Sequence, residues 1–384
     1  MTMLAWVAAL AWGWLLTMRG RFWRVDLPVP ATEPDQWPEV VALIPARDEA
    51  ASIGAVVASL LRQDYPGRLS VVVADDSSGD GTAEVARAAA AGLGAGERLT
   101  VVAAAELPIN WRGKVWAQAA AYQSAVERHP EAEFILLTDA DIVHGERELR
   151  QVIARAMEGG LDLASLMVRL SVGSLAERAV IPAFVFFFRL LYPFAWVADI
   201  ARETAAAAGG YMLVRRAALD RIGGFAALKG ALIDDCALAG MIKSGGGRIA
   251  LDLADETRSI RPYAGFGELW MMIARSAFTQ LRCSFLLLAG TVAAMAVGFL
   301  APPLIVLIGG AARPVAFAAW VEMTVAFAPM LVYYRVSLLW APLLPVTALF
   351  YLGATVDSAR RHVMGKGGAW KGRVLPSRPM DGGA

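Results

Sequence analysis

"FILLTDADIVH", residues 134–144, sets four apolar side chains ahead of two carboxylates, Asp139 and Asp141. Such a run, closed by acids, reads as a buried strand whose end opens on a polar site. Unpaired charges are costly to bury, so something must hold two aspartates at the mouth of that strand. The flanking sequence supplies the frame. VVALIP (40–45), LSVVVADD (69–76) and LTVVAAA (99–105) read as three further strands. Helical patterns fall between them, one starting near Ser52, then TAEVARAAAAG (82–92) and KVWAQAAAYQSAVERH (114–129). This alternation predicts an α/β fold, a mainly parallel sheet with helices on both faces. Ligands of such sheets bind beyond the carboxyl ends of the strands. Three of these ends carry acids: Asp48 and Glu49, Asp75 and Asp76, and Asp139 and Asp141.

Two aspartates separated by one residue suit a hard divalent cation, Mg2+ or Mn2+, which keeps waters and binds phosphate oxygens of a substrate. "NWRGKVWA" (110–117) places Arg112, Gly113 and Lys114 just before a helix, where backbone amides and a lysine favour phosphate. A lone D-x-D is common, and a solvated loop with incidental charges is the bland alternative. Joined to the other strand-end acids and the lysine, it points to a nucleoside diphosphate. His144 reads as a metal ligand or, more simply, as a structural histidine, and Cys236 as a small buried residue. "GLGAGE" (92–97) follows a helix rather than a strand and carries Glu97 at the third glycine position, which excludes a dinucleotide fingerprint. No Cys/His set has zinc spacing and no Gly-x-Ser-x-Gly elbow is present.

Composition points to a membrane. The 384 residues are 57% hydrophobic with a net charge of +1, too apolar for an ordinary soluble enzyme and too neutral for a nucleic-acid binder. Two cysteines give no disulfide framework, which suits a reducing compartment. Residues 3–18, MLAWVAALAWGWLLTM, are uncharged and followed by Arg19, Arg21 and Arg24. A secretory signal carries its positive charge first, so 1–24 reads as an anchor with its basic end in the cytoplasm. Residues 284–312, 314–334 and 336–356 are further apolar segments, the second interrupted by Glu322. Three crossings after the anchor would place the basic tail, 359–384, outside, against the positive-inside tendency. A cytoplasmic tail therefore requires one segment not to cross, and 284–312, with its Pro302-Pro303 pair, is the candidate for a re-entrant break.

The motifs, taken in order, resemble family 2 glycosyltransferases of the GT-A fold over about 40–283. "ALIPARDEAASI" resembles the P-x-R/N-x-E element, carrying Pro45, Arg47 and Glu49, and "VVVADDSSGDGT" the nucleoside-contacting acids. "TDADIVH" resembles the metal-binding D-x-D, "GGYMLVRRAALDRIGGF" (209–225) the acceptor-side segment, and "IDDCALA" (233–239) the element with the catalytic base. With the membrane segments, the chain resembles the hopene-associated glycosyltransferases of hopanoid clusters. The resemblance implies a GT-A domain over 38–283 between the anchor and membrane segments 284–358, in a multi-pass inner-membrane protein whose catalytic domain faces the cytoplasm. It implies a nucleotide-sugar donor, a UDP-sugar, and a lipid acceptor. Asp75 and Asp76 would contact the nucleoside, with Glu49 near the ribose and Lys114 near the uracil or diphosphate. Asp141 would bind the metal directly, and Asp139 the metal indirectly or the donor sugar. Asp235 would be the general base, Asp234 its neighbour, and Arg282 a contact to the diphosphate.

Two departures bear on function. "FTQLRCS" (278–284) lacks the spacing and the tryptophan of the Q-x-x-R-W element, which weakens a polysaccharide synthase reading. "AWKGRVLP" (369–376) resembles the ending of lipid-acting members. A non-catalytic membrane scaffold would usually have lost one of the site acids, and a nucleotidyltransferase would not need the Asp234–Asp235 pair. The apolar stretch 180–198 cannot cross the membrane without stranding Asp235 opposite Asp141. It is expected as an interfacial helix, with Arg189 reaching headgroups and Phe186 and Phe187 at the acyl boundary, or else as a core helix.

Overall fold

The computed structural model describes residues 1–365. It divides into two compact units: Asp26–Ser171 with Trp196–Arg261, and Met1–Val25 with Val172–Ala195 and Pro262–Ala384.

The first of these is built on one sheet of eight strands. β1 (Val40–Ala46), β2 (Leu69–Asp75), β3 (Leu99–Ala103) and β4 (Phe134–Thr138) are joined by the helices Ile53–Leu61, Thr82–Gly92 and Gly113–Arg128. β5 (Ile142–Val143), β6 (Leu163–Arg169), β7 (Tyr211–Arg215) and β8 (Ile249–Ser259) complete it in the order β3-β2-β1-β4-β7-β6-β8-β5. The four β1–β4 strands are mutually parallel, as the alternation predicts, whereas β7 runs antiparallel between β4 and β6. β1 and β4 are buried at every position and β2 at all but its last, the signature of strands covered on both faces.

Chain direction across the sheet reverses at β1, which is flanked by β2 on one side and β4 on the other. Pairing to β4 ends at Leu43 with Leu137, while pairing to β2 runs on to Ala46 with Asp75. Pro45 falls in the part free of β4, where its missing N–H breaks no bond to that strand. The two strands therefore part at their carboxyl ends, and a crevice opens where the sheet switches direction.

The second unit gathers the apolar helices. Three are long and apolar enough to cross a membrane by length and composition: Phe285–Ile308, Arg313–Tyr333 and Leu338–Val363, with mean hydropathies of 2.3, 1.8 and 1.6. The N-terminal helix Thr2–Met18 is shorter, at 17 residues. The re-entrant break expected over 284–312 is not what forms. A π-turn at Ala296–Leu300 precedes Pro302 and Pro303, and its wider register lets one apolar helix pass their missing amides. Residues 366–384, which hold most of the basic tail and AWKGRVLP, lie outside the described residues.

The 180–198 stretch also departs from expectation. It forms two helices, Leu175–Leu191, opened by a Ser174–Glu177 capping box, and Phe194–Ala198. Phe186 is 1% exposed and packs its ring against Phe22 and Phe327. Arg189 does not reach outward: it is buried, donates to the Arg24 carbonyl and lies over the Phe194 ring. Aromatic partners from two other segments outweigh an exposed apolar face, so the helix is core within its unit.

Candidate active site

The acids of the first unit gather at the ends of β1, β2 and β4. Two loops carry the first group. Asp48 and Ser77 both adopt left-handed backbone, φ 51° and 58°, unusual for residues with a side chain. The loops brace each other: Asp48 N–H donates to Ser78 Oγ at 3.0 Å, and Gly79 N–H to Asp48 Oδ1 at 2.9 Å. Glu49 N–H donates to Thr82 Oγ1 at 2.9 Å. Asp76 is buried and held by Arg47 Nη1 at 3.3 Å. Asp75 is less buried, and its Oδ1 accepts from Ser78 N–H at 3.0 Å. Of the two acids expected on the nucleoside, Asp75 is thus the accessible one, and Arg47 serves to fix Asp76.

The second group centres on Lys114, in the first turn of the helix Gly113–Arg128. Its ammonium lies 2.9 Å from Asp139 Oδ1 and 3.4 Å from Asp234 Oδ2. Burial works to lower the lysine's pKa, but Asp139, Asp234 and Asp235 outweigh it and hold Lys114 above the ordinary lysine range. This lysine, expected near the uracil or the diphosphate, ties the D-x-D to the acidic pair.

Asp235 lies in the first turn of the helix Asp234–Ser244 and is gripped by two amides, Gly209 N–H on Oδ2 at 2.9 Å and Cys236 N–H on Oδ1 at 2.7 Å. Burial, then the Asp234 charge, pushes its carboxyl up to about 6 against the pull of Lys114. Gly209 sits close against the pair: a Cβ there would meet Lys114 Nζ at 3.2 Å and Asp235 Oδ2 at 3.4 Å, tight enough to press on the lysine. Cys236 is partly buried with its thiol pushed up by burial, as a small packing residue would be.

Asp141 has no ion pair among the described residues. Ser259 Oγ donates to its Oδ2 at 3.2 Å, and burial followed by the Asp139 charge raises its carboxyl to about 6. Among the described residues no three Asp, Glu, His or Cys side chains converge as a metal cage. A half-buried carboxylate with no ion pair nevertheless fits a divalent ion whose remaining ligands are waters and phosphate. His144 stands apart: buried and pushed down to about 3 by burial, it bonds Thr138 Oγ1 at 3.1 Å and packs on Tyr211. Arg282 belongs to the other unit, where it takes left-handed backbone at φ 53° after the helix Ala277–Gln280.

Sequence reasoning missed Gly209, Ser259 and Arg261, whose charge offsets part of the shift on Asp141. The last two arrive through β8, which pairs with β5 across more than a hundred residues of chain, so no local motif announces them. The Gly209-Gly210 doublet was the one visible signal.

Known proteins place this geometry. No curated protein matches the chain. Its fold is similar to that of the mannosyltransferase PcManGT from Pyrobaculum calidifontis, solved in complex with GDP-Man and Mn2+. That likeness covers 94% of this chain and 99% of the other, at 21% identity and a TM-score of 0.54. Weaker similarity extends to glucosyl-3-phosphoglycerate synthase from Mycobacterium tuberculosis (18% identity, 67% and 86% covered, TM-score 0.42). It also extends to TarS from S. aureus (16% identity, 85% and 92% covered, TM-score 0.39). Residues 38–279 match the family described as glycosyltransferase like family 2. The match spans well over half of the chain, which therefore belongs to that family and is a glycosyltransferase of the GT-A fold.

Proposed function

We propose that the protein moves a sugar from a nucleotide-sugar, a UDP-sugar in the first instance, to a hydroxyl of a membrane lipid such as a hopanoid, in one inverting displacement. The observation that carries this reading is Lys114, whose single ammonium draws Asp139 and Asp234 together. Donor-side and acceptor-side acids are thereby held in one cluster, as a direct transfer requires.

In this reading Asp75 and Glu49 receive the nucleoside, and Arg47 with Pro45 shapes the loop that holds them. Asp235 is the base. Its two amide hydrogen bonds fix the carboxylate plane, and its raised pKa brings its proton affinity toward that of the working solution. It takes the acceptor proton as that oxygen attacks the anomeric carbon from the face opposite the nucleotide. Lys114 and Asp234 set the charge around it. Mg2+ or Mn2+ held by Asp141, with Asp139 behind it, would neutralise charge on the departing diphosphate. Arg282 is proposed as a further countercharge there. A cytoplasmic face of the inner membrane supplies nucleotide-sugars and keeps Cys236 and Cys283 reduced.

The test is product identity. The purified protein is given a panel of UDP- and GDP-sugars, extracted membrane lipid, and Mg2+ or Mn2+. Free nucleoside diphosphate with a new glycolipid is expected, and its loss on chelation. Pyrophosphate would indicate nucleotidyl transfer, and silence with every donor would leave a scaffold.

A further inference from the structure

The unit of apolar helices carries a carboxyl group that its packing does not explain. Glu322 sits near the middle of the span Arg313–Tyr333. Its Oε2 is buried and has no hydrogen-bond partner among the described residues. Beside it lies an open groove of about 560 Å3, lined by Trp6, Leu10, Gly13, Trp14, Val315 and Glu322 among others. Gly13 leaves room at the acid, since a Cβ built there would still stand 4.0 Å from Glu322 Oε1. Trp6 and Trp14 are each about half exposed, at 52% and 51%, so the groove has aromatic walls rather than a lid.

An ionisable group within a span is costly and marks a functional site by default. The groove's volume falls in the range of small-molecule sites, about 300–1,000 Å3. Its walls are apolar apart from the acid. We propose that this groove binds an apolar lipid bearing a hydroxyl group, whose O–H donates to Glu322 Oε1, the oxygen that faces Gly13. A hydroxyl donates to the acid in either state, because a carboxylate and the carbonyl oxygen of a protonated carboxyl both accept from it, whereas an ether can donate to neither. A plain acyl chain fills the same space but covers Oε1 without pairing it, and an acceptor buried unpaired is penalised. Selection of a lipid alcohol over an otherwise identical ether is therefore the signature of the site.

The test uses the full chain in detergent micelles and two probes, a brominated long-chain alcohol and its methyl ether. Bromine quenches indole fluorescence, and Phe at positions 6 and 14 (Trp6→Phe, Trp14→Phe) isolates the signal of this groove from the other tryptophans. The alcohol is expected to quench saturably and about tenfold more tightly than the ether, the scale of one hydrogen bond. Glu322→Leu and Gly13→Leu should bring the alcohol down to the ether's affinity, while Glu322→Gln, which keeps a carbonyl acceptor, should retain the preference. Equal quenching by alcohol and ether in the unaltered protein would overturn the proposal and leave an ordinary lipid-facing surface. So would an unchanged alcohol preference in Glu322→Leu. The probe comparison needs no variant, so a failure of any variant to fold does not decide it.

Discussion

Asp141 and Asp235 are both carboxylates that burial makes reluctant to ionise, yet their surroundings separate their tasks. Asp235 is gripped by two backbone amides, which fix its direction, whereas the Asp141 carboxylate accepts a single hydrogen bond, from the Ser259 hydroxyl, among the described residues. Asp141→Ala should therefore abolish metal-stimulated donor binding. Calorimetry with UDP-sugar, with and without Mn2+, checks this, and an unchanged metal-dependent affinity would move the ion elsewhere. Asp235→Asn should leave donor binding nearly intact and lower transfer by at least about 10²-fold, the usual scale for a lost general base. The base works ionised, so transfer should fall as pH drops through about 6, to which its carboxyl is pushed from 3.8. Because the native carboxyl binds its proton more tightly than the unfolded one, this group's contribution lowers stability as pH rises from about 3.8 to about 6. A pH–rate profile with no limb near 6 would point to another base, Asp234 first. The types and positions of these acids were legible in the sequence. Their pairing was not: Arg47 with Asp76, and Lys114 with Asp139 and Asp234, are side-chain contacts between segments far apart in the chain.

At the scale of elements, β1 to β4 and the helices between them form within a residue or two of where hydrophobic pattern put them. Val-rich runs closed by acids and small-residue helical stretches leave little ambiguity. The helix Leu175–Leu191 shows where that reading stops. Its apolar content reads first as an interfacial helix, with a core helix as the alternative, and only the rings of Phe22 and Phe327 around Phe186 favour the second. Phe186→Ala should then cost about 3–5 kcal/mol, the usual range for emptying a buried aromatic site. The expected result is a clear fall in melting temperature, with lipid transfer and UDP-sugar hydrolysis declining together. Loss of lipid transfer alone, with unchanged melting, would restore the interfacial role.

For the molecule as a whole, the three long apolar helices predict integral membrane behaviour. The protein should remain in the membrane pellet after alkaline carbonate extraction, and its release into the supernatant would refute a spanning arrangement. Sequence alone determined the apolar segments, the α/β alternation and the strand-end acids, because each is written in local periodicity and composition. It also carried the family, through motifs in a fixed order over 38–279. Tertiary structure alone decided that β7 enters the sheet antiparallel, that the proline pair at 302–303 is accommodated within a continuous helix, and that Lys114 pairs with Asp139 and Asp234. It alone left Glu322 unpaired beside Gly13. Strand direction, helix continuity across prolines and the partners of a buried charge all depend on which distant segments are brought together, and no local window of sequence contains that information.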